Sequence, residues 1–487
     1  MLASLIPTQR DHRPKRAEHA DNEQTSSTTR EPLPAARRFG TRFLDLPVVR
    51  NRVPRRCRPA LYFETWYNVG SGAVVSLFLL SPVVLTTILD GSDRHLALLS
   101  AMFGGSSLLS PLVSYLGRKI PMRSLVVFPN LLVAGLLFAT AFSAGGATFF
   151  TVVVGAVFVM RVFPRVAEMN MYRVLYPATH RGAAVGWVKA IAAISGSGVM
   201  LIGYWWFSFN PNLYWGIYAL VGCLVIASAY SYSRIPLQRT NVFARSDALA
   251  PHRAFWEGLK IFAKDRAFLM YQFGFWLAGF ANHMALVFVA AVLTENVIAD
   301  QPQENLVPRT LHHFLFETMA LERQTVVVLI VGFVIAVAPA LLMMTSAPFW
   351  GRLLDRINPM IGRAIFNTIQ CVAYACYAYG GLTREIWPFA FGAVLHGIGN
   401  GGSTINWLTG SLYFASPERV SLYNAIHVGL TGLRGLIAPL CGWYLLSSSG
   451  FDLGAGLFVI AAVLSIMGAA VMLYQGLTDT GPHEAAA

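Results

Sequence analysis

Charge is scarce in this chain: of 487 residues, 13% are Asp, Glu, Lys or Arg, against 55% that are hydrophobic. A soluble domain carries about twice that charged share, so the composition suits lipid better than water. Cysteine is scarce too, with five residues, of which Cys223, Cys371, Cys376 and Cys441 lie in apolar stretches. Their odd number and lack of metal-ligand spacing argue against a disulfide framework or a zinc site, and they are expected to be free packing residues. No Gly-rich loop ending in GKS/T occurs. Gly397, Gly399, Gly401 and Gly402 stand inside an apolar span instead, which argues against ATP-driven work within the chain. The start has no secretory leader pattern, because residues 1–59 mix Arg, Glu, Ser, Thr and Pro without an apolar run. That tail is expected to stay uncleaved and largely disordered. No cofactor is implied.

The formal charge is +13, but 13 of the 37 Lys and Arg fall in the first sixty residues and most others lie in short loops. This is the pattern of membrane topology, not of nucleic-acid binding. Arg50, Arg52, Arg55, Arg56 and Arg58 directly precede the first apolar span. They read as a topology determinant or as a contact for anionic lipid. A bilayer core needs roughly 20 apolar residues per helix. Such windows fall near 61–89, 95–116, 121–143, 147–172, 183–208 and 213–234, and again near 267–297, 325–350, 361–382, 386–413, 421–448 and 453–474.

The expected fold is therefore an all-α integral membrane protein of twelve transmembrane helices in two six-helix bundles. The boundaries are a basic cytoplasmic tail (1–59), a first bundle (60–234), a linker (235–266), a second bundle (267–475) and a short C-terminal tail (476–487). With the N-terminus inside, 16 Lys and Arg, including Arg352 and Arg363, fall in cytoplasmic loops, against Arg94, Arg309, Arg323 and Arg384 outside. The positive-inside rule thus places both termini in the cytoplasm, in a cell (inner) membrane. Within the linker, Phe255 to Phe262 reads either as an amphipathic helix on the membrane surface or as a solvated linker helix. The loop 298–324 is external and carries Asp300, Glu304, Glu317 and Glu322.

An internal repeat supports the two halves. After the second span the chain reads Ser110-Pro-Leu-Val-Ser114-Tyr-Leu-Gly117-Arg118-Lys119, and after the eighth Gly351-Arg352-Leu-Leu-Asp355-Arg356-Ile-Asn358-Pro359, about 240 residues later. A second pair has the same offset: Arg181-Gly182 follows Pro177, and Glu418-Arg419 follows Pro417. The first pair resembles the loop motif of the major facilitator superfamily, Gly-x-x-x-Asp-Arg/x-x-Gly-Arg-Lys. The resemblance covers about residues 60–475. It implies a cytoplasmic latch built from Gly117, Arg118, Lys119, Gly351, Asp355 and Arg356. Ser114 stands where the first copy would have its carboxylate, and Asn358-Pro359 where the second would have Gly-Arg, so the latch is expected to be asymmetric.

Ionisable side chains at bilayer depth are costly and mark pathways or buried pairs. Arg161 lies mid-span in the fourth helix, which by the resemblance faces the cavity, and is the leading substrate contact. Glu168, Arg165, Lys189, His427 and Glu64 are the candidate coupling or ion-pair groups, although Arg165 and Glu168, at i and i+3, also read as a pair that neutralises itself. The fifth span holds Lys189 and the run Ser195-Gly196-Ser197-Gly198; the eleventh holds His427, Gly429, Gly432, Arg434, Gly435 and Pro439. The small residues point to tight packing between halves. Arg434 needs a partner, an anion or water. Asn282 and His283 of the seventh span and His396, Asn400 and Asn406 of the tenth are expected to line the cavity, with Asn400 opposite Arg161. A histidine there could carry a proton, or simply be satisfied by a neighbouring amide. Glu64, Tyr67 and Asn68 near the start of the first span are candidate contacts, and Trp66 reads as part of an interfacial aromatic belt.

Arg161, Arg165, Lys189 and Arg434 outnumber Glu64 and Glu168, so the site should favour an anionic small-molecule solute. The expected function is secondary active transport by alternating access, with proton coupling left open. The alternatives are a polytopic membrane enzyme, for which His312, His313 and Glu317 are the candidate residues, and a transport-inactive sensor on the same scaffold.

Overall fold

In the computed structural model the described residues are 53–117, 119–143, 146–176, 178–236, 251–299, 301–302, 308–319, 322–354, 356–415, 420–448 and 450–478. Most of the basic tail, with Arg50 and Arg52, therefore lies outside them, as do 237–250 of the linker and the residues Arg118, Asp300, Glu304 and Asp355. Among the described residues every regular element is helical.

Ten helices are long and apolar enough to cross a membrane. They are α1 (Arg58–Ile88), α2 (Asp93–Leu116), α3 (Met122–Phe142), α4 (Ala147–Glu168), α5 (Ala184–Phe207), α6 (Pro211–Ser233), α7 (Arg266–Glu295), α8 (Thr325–Gly351), α11 (Leu422–Leu446) and α12 (Gly456–Thr478). Two further long helices, α9 (Pro359–Thr383) and α10 (Ile386–Thr409), occupy the ninth and tenth windows. Their apolar character is diluted by side chains that the structure turns inward: Arg363, Asn367 and Gln370 on α9, and His396 and Asn406 on α10, are buried. The outward surface is apolar where lipid would lie, with Phe128, Trp205, Phe349 and Tyr474 all more than half exposed. The protein is a multi-pass membrane protein.

Local chemistry fixes the helix ends. Asp265 caps α7 by accepting from the Phe268 backbone N–H at 2.9 Å, and Asn358 caps α9 by accepting from Met360 at 2.8 Å, with Pro359 in the first turn. Inside α1, Pro82 precedes a widened turn, Val84–Ile88, in which the Thr86 and Thr87 hydroxyls donate to the carbonyls of Pro82 and Val83. In hydrocarbon such a break must be satisfied from within.

Helix packing repeats with a six-helix offset. In the first half α1 packs on α5 and α6, α3 on α4 and α6, and α2 on α4. In the second α7 packs on α11 and α12, α9 on α10 and α12, and α8 on α10. The contacts between halves obey the same rule, since α2 meets α11 and α5 meets α8. The α2–α11 crossing depends on two glycines: a Cβ on Gly104 would lie 2.6 Å from the Gly435 Cα, and the reverse substitution is equally blocked. The run in α5 differs from expectation. Gly196 faces the Gly72 carbonyl of α1, and Ser195 donates to Val69, so this run tightens packing within the first half and not between halves.

The main apolar core joins both halves near the far face, the face at which α1 ends. Leu80, Leu85, Val154 and Tyr204 of the first half share it with Met284, Phe288, Val331 and Ile335 of the second. Toward the near face, where α1 begins, a separate cluster of Phe268, Tyr271, Phe275, Met360 and Tyr423 belongs to the second half. The linker residues form an amphipathic helix, Pro251–Lys264, which buries Ile261 in this second cluster and sets Gly258 against Ile426 of α11, leaving Trp256 exposed. All five cysteines are free.

Candidate functional site

The first polar cluster lies between α1, α3, α4 and α5. Pro164 has no N–H to offer the Met160 carbonyl, and helix α4 is interrupted at Arg161, between Ala147–Met160 and Val162–Leu175. The Arg161 guanidinium donates to Ser71 Oγ of α1 at 2.6 Å and to Asn130 Oδ1 of α3 at 3.3 Å, both neutral acceptors. Glu168, 4% exposed, accepts from the Tyr67 hydroxyl at 2.6 Å and pairs with Lys189 Nζ of α5 at 3.2 Å. Glu64 is fully buried and accepts from the Tyr176 hydroxyl, while the Asn68 amide caps the Glu64 backbone carbonyl at 2.9 Å. Trp66 is exposed, as a belt residue would be.

One expectation fails here. Arg165 and Glu168 share a helix face but do not pair with each other; Lys189 takes the carboxylate, and the Arg165 guanidinium crosses to the other half, 4.9 Å from the centre of the Trp407 ring on α10. The physical reason is depth. Glu168 is buried toward α1 and α5, where only a cation from α5 reaches it, whereas Arg165 is exposed and gains more from an aromatic face.

The second cluster lies among α7, α9, α10 and α11. Asn282 accepts from the Tyr374 hydroxyl at 2.9 Å, and Asn400 accepts from Gln370 at 3.4 Å. Asn406 is turned from the cavity role and donates to the Pro359 carbonyl at 2.9 Å, tying α10 to the start of α9. His283 is half-buried. His396 is 2% exposed, packs its ring against Tyr374, and neither ring nitrogen has a hydrogen-bond partner among the described residues. His427 meets Gln272 at 3.1 Å. Arg434, 5% exposed, donates to the Phe275 carbonyl at 2.7 Å and lies 4.6 Å from the centre of that residue's ring.

Arg363 corrects the loop assignment made from charge. It sits in the first turns of α9, 3% exposed, with its guanidinium 4.0 Å from the Phe275 ring centre and donating to Ser403 at 2.5 Å. Its place at the edge of an apolar window concealed it, because a span end is where the positive-inside rule expects a basic residue. Asn367 and Gln370, three residues apart on the same buried face of α9, were equally unmarked. The spacing Arg363, Asn367, Gln370, Tyr374 is helical, and it was the signal available.

At the near face Gly117 ends α2, Gly351 is half-buried in α8, and Lys119 and Arg356 are exposed. Their supposed latch partners Arg118 and Asp355 are outside the described residues. In the far loop His313 and Glu317 form an exposed pair at 2.6 Å. Among the described residues no group of three His, Cys, Asp or Glu could hold a metal. Deep in the spans Lys189–Glu168 is the one ion pair among the described residues, so Arg161, Arg363 and Arg434 stand without a carboxylate.

No protein-family model and no curated protein sequence matches the chain. Solved structures do. A mutant form of the nucleoside transporter NupG superposes with a TM-score of 0.62 at 12% identity, over 85% of this chain and 99% of that one. A POT family transporter in complex with a thioalcohol-conjugated peptide gives 0.61 at 10% identity, over 87% of this chain and 98% of that one. The fold is therefore major-facilitator-like, and no subfamily is distinguished.

Proposed function

We propose that this protein is a secondary active transporter in which two six-helix bundles, twelve spans in all, rock about the α2–α11 and α5–α8 contacts to expose a small solute alternately to each side. The carrying observation is the offset in helix packing: every main contact has a counterpart six helices on, including both contacts between halves. Two such halves, exchanged by pseudo-symmetry, have two equivalent ways to lean on each other. The far side is joined by a continuous apolar core. On the near side the aromatic contact of Arg165 with Trp407 bridges α4 and α10. That contact is the thinner seal. The charge asymmetry of the loops makes the near face cytoplasmic, with both termini there, in the cell membrane.

Glu64 is our coupling residue. It is a fully buried carboxyl with no basic side chain at ion-pair distance among the described residues, and charging an isolated carboxyl at such depth is costly, so proton uptake and release can accompany the conformational cycle. Arg161, held by Ser71 and Asn130, is assigned to solute binding together with Arg434 and Asn400 of the other half, and the surplus of basic side chains favours an anion. The test is flux in proteoliposomes across anions, sugars, amino acids and nucleosides, with and without a pH gradient. Uptake of at least one solute, accelerated by the gradient and uncoupled from it by Glu64→Gln, is expected. Absence of flux for every solute class would remove the transport reading. Flux that ignores the gradient would remove Glu64 from it.

A further inference from the structure

We propose that Arg363 and Arg434 together form a binding site for an oxyanion, the phosphate or carboxylate group of the transported solute, held over Phe275 between α7, α9 and α11. The inference rests on the transport reading and adds where and by what chemistry the solute is recognised. Both guanidiniums lie on one phenyl ring, at 4.0 and 4.6 Å from its centre, so two like charges share a buried aromatic platform. Each makes one hydrogen bond to a neutral oxygen, of Ser403 and of the Phe275 backbone. The Nε atom of each is buried without an acceptor among the described residues.

Around them the same shortage of acceptors recurs. The Tyr271 hydroxyl, one turn before Phe275 on α7, and the Gln272 amide nitrogen are buried without partners among the described residues. A guanidinium offers five N–H groups in a planar fork that matches a carboxylate or phosphate. Two of them at bilayer depth, with no carboxylate at ion-pair distance among the described residues, carry positive charge that an oxyanion would neutralise.

Gly279 supplies a second, independent sign that the site is built. A Cβ at that position of α7 would overlap the Arg434 guanidinium, so the glycine leaves room for the side chain to lie against the helix. This placement holds Arg434 against α7, with its guanidinium on the Phe275 ring that Arg363 also meets. Stacking on Phe275 also lowers the cost of burying both cations, since the ring face is electron-rich. The two arginines lie 71 positions apart in sequence, one on α9 and one on α11, and both meet the same ring of α7.

The experiment is thermal unfolding of the purified full chain in neutral detergent with inorganic phosphate, succinate, glucose or uridine at constant ionic strength, and separately with phosphatidylglycerol micelles. Saturable stabilisation of several degrees by phosphate or succinate, absent with glucose and uridine, is expected for the wild type. The concentration giving half the effect should rise at least tenfold in Arg363→Gln and in Gly279→Ala, and less in Arg363→Lys, which keeps the charge. If a variant fails to fold, the wild-type titration together with Gly279→Ala decides. Lack of saturable stabilisation by either oxyanion overturns the proposal, as does an equal effect in the variants. Stabilisation by phosphatidylglycerol alone overturns it in favour of a lipid headgroup. Proteoliposome uptake separates the two readings: flux of neutral solutes untouched by Arg363→Gln sinks this site and leaves transport standing, whereas oxyanion stabilisation without any flux does the reverse.

Discussion

Removing the cation from the Lys189–Glu168 pair should be more damaging than removing the carboxylate, although the pair is the same. The two partners are unequally wet: the Lys189 side chain is 45% exposed and that of Glu168 5%. In Lys189→Met the carboxylate stays buried and keeps the Tyr67 hydroxyl, 2.6 Å away, as its donor. Breaking a fully buried pair costs about 3–5 kcal/mol and an exposed pair contributes about 0–1 kcal/mol. With the lysine half in water and Tyr67 retained, about 2 kcal/mol is expected. In Glu168→Gln the amide oxygen still accepts from Tyr67, and the lysine keeps its water and the Tyr172 ring at 5.9 Å, so the loss should stay below about 1 kcal/mol. The double variant should recover most of the difference, because no charge is then left buried and unpaired. Thermal unfolding in detergent, read for all three variants in one preparation, measures the order. A Glu168→Gln protein less stable than Lys189→Met, or a double variant that merely adds the two losses, would show that the pair is not organised by burial of the carboxylate.

Arg165→Gln or Trp407→Leu removes the contact between α4 and α10, worth about 0.5–1 kcal/mol at an exposed site. A two- to five-fold gain in the near-face-open population is expected, read as a longer distance between spin labels at Lys119 and Arg356; an unchanged distribution would sink the seal. Gly104→Leu pushes a side chain into Gly435 and should cost about 1–3 kcal/mol at the crossing. Solute uptake should slow well beyond the loss of protein, and a normal rate would mean the halves do not turn about this contact. Single cysteines at Gly117 and Asn358 should label from one side of the membrane and those at Asp93 and Arg384 from the other, and any mixed result would break the topology.

The hydrophobic windows coincide to within a few residues with long helices among the described residues, ten of them long and apolar enough to cross a membrane, because such a stretch of apolar side chains in lipid favours the helix, which satisfies its own backbone. The repeat at about 240 residues predicts two similar halves, and among the described residues the main helix contacts recur with a six-helix offset. The side-chain partners were less legible. Arg165 and Glu168 looked like neighbours on a helix, yet their partners come from α10 and α5. Arg363 looked like a loop residue, yet it is buried on Phe275.

The sequence by itself determined the solvent and where the long apolar helices lie along the chain, both of which depend on local composition and chain length. The tertiary structure alone decided which buried charges are satisfied. Pairing at depth depends on which helix faces meet, and faces brought together by packing lie far apart in the chain, so Lys189 finds Glu168 while Arg363 and Arg434 find the Phe275 ring and, among the described residues, no carboxylate.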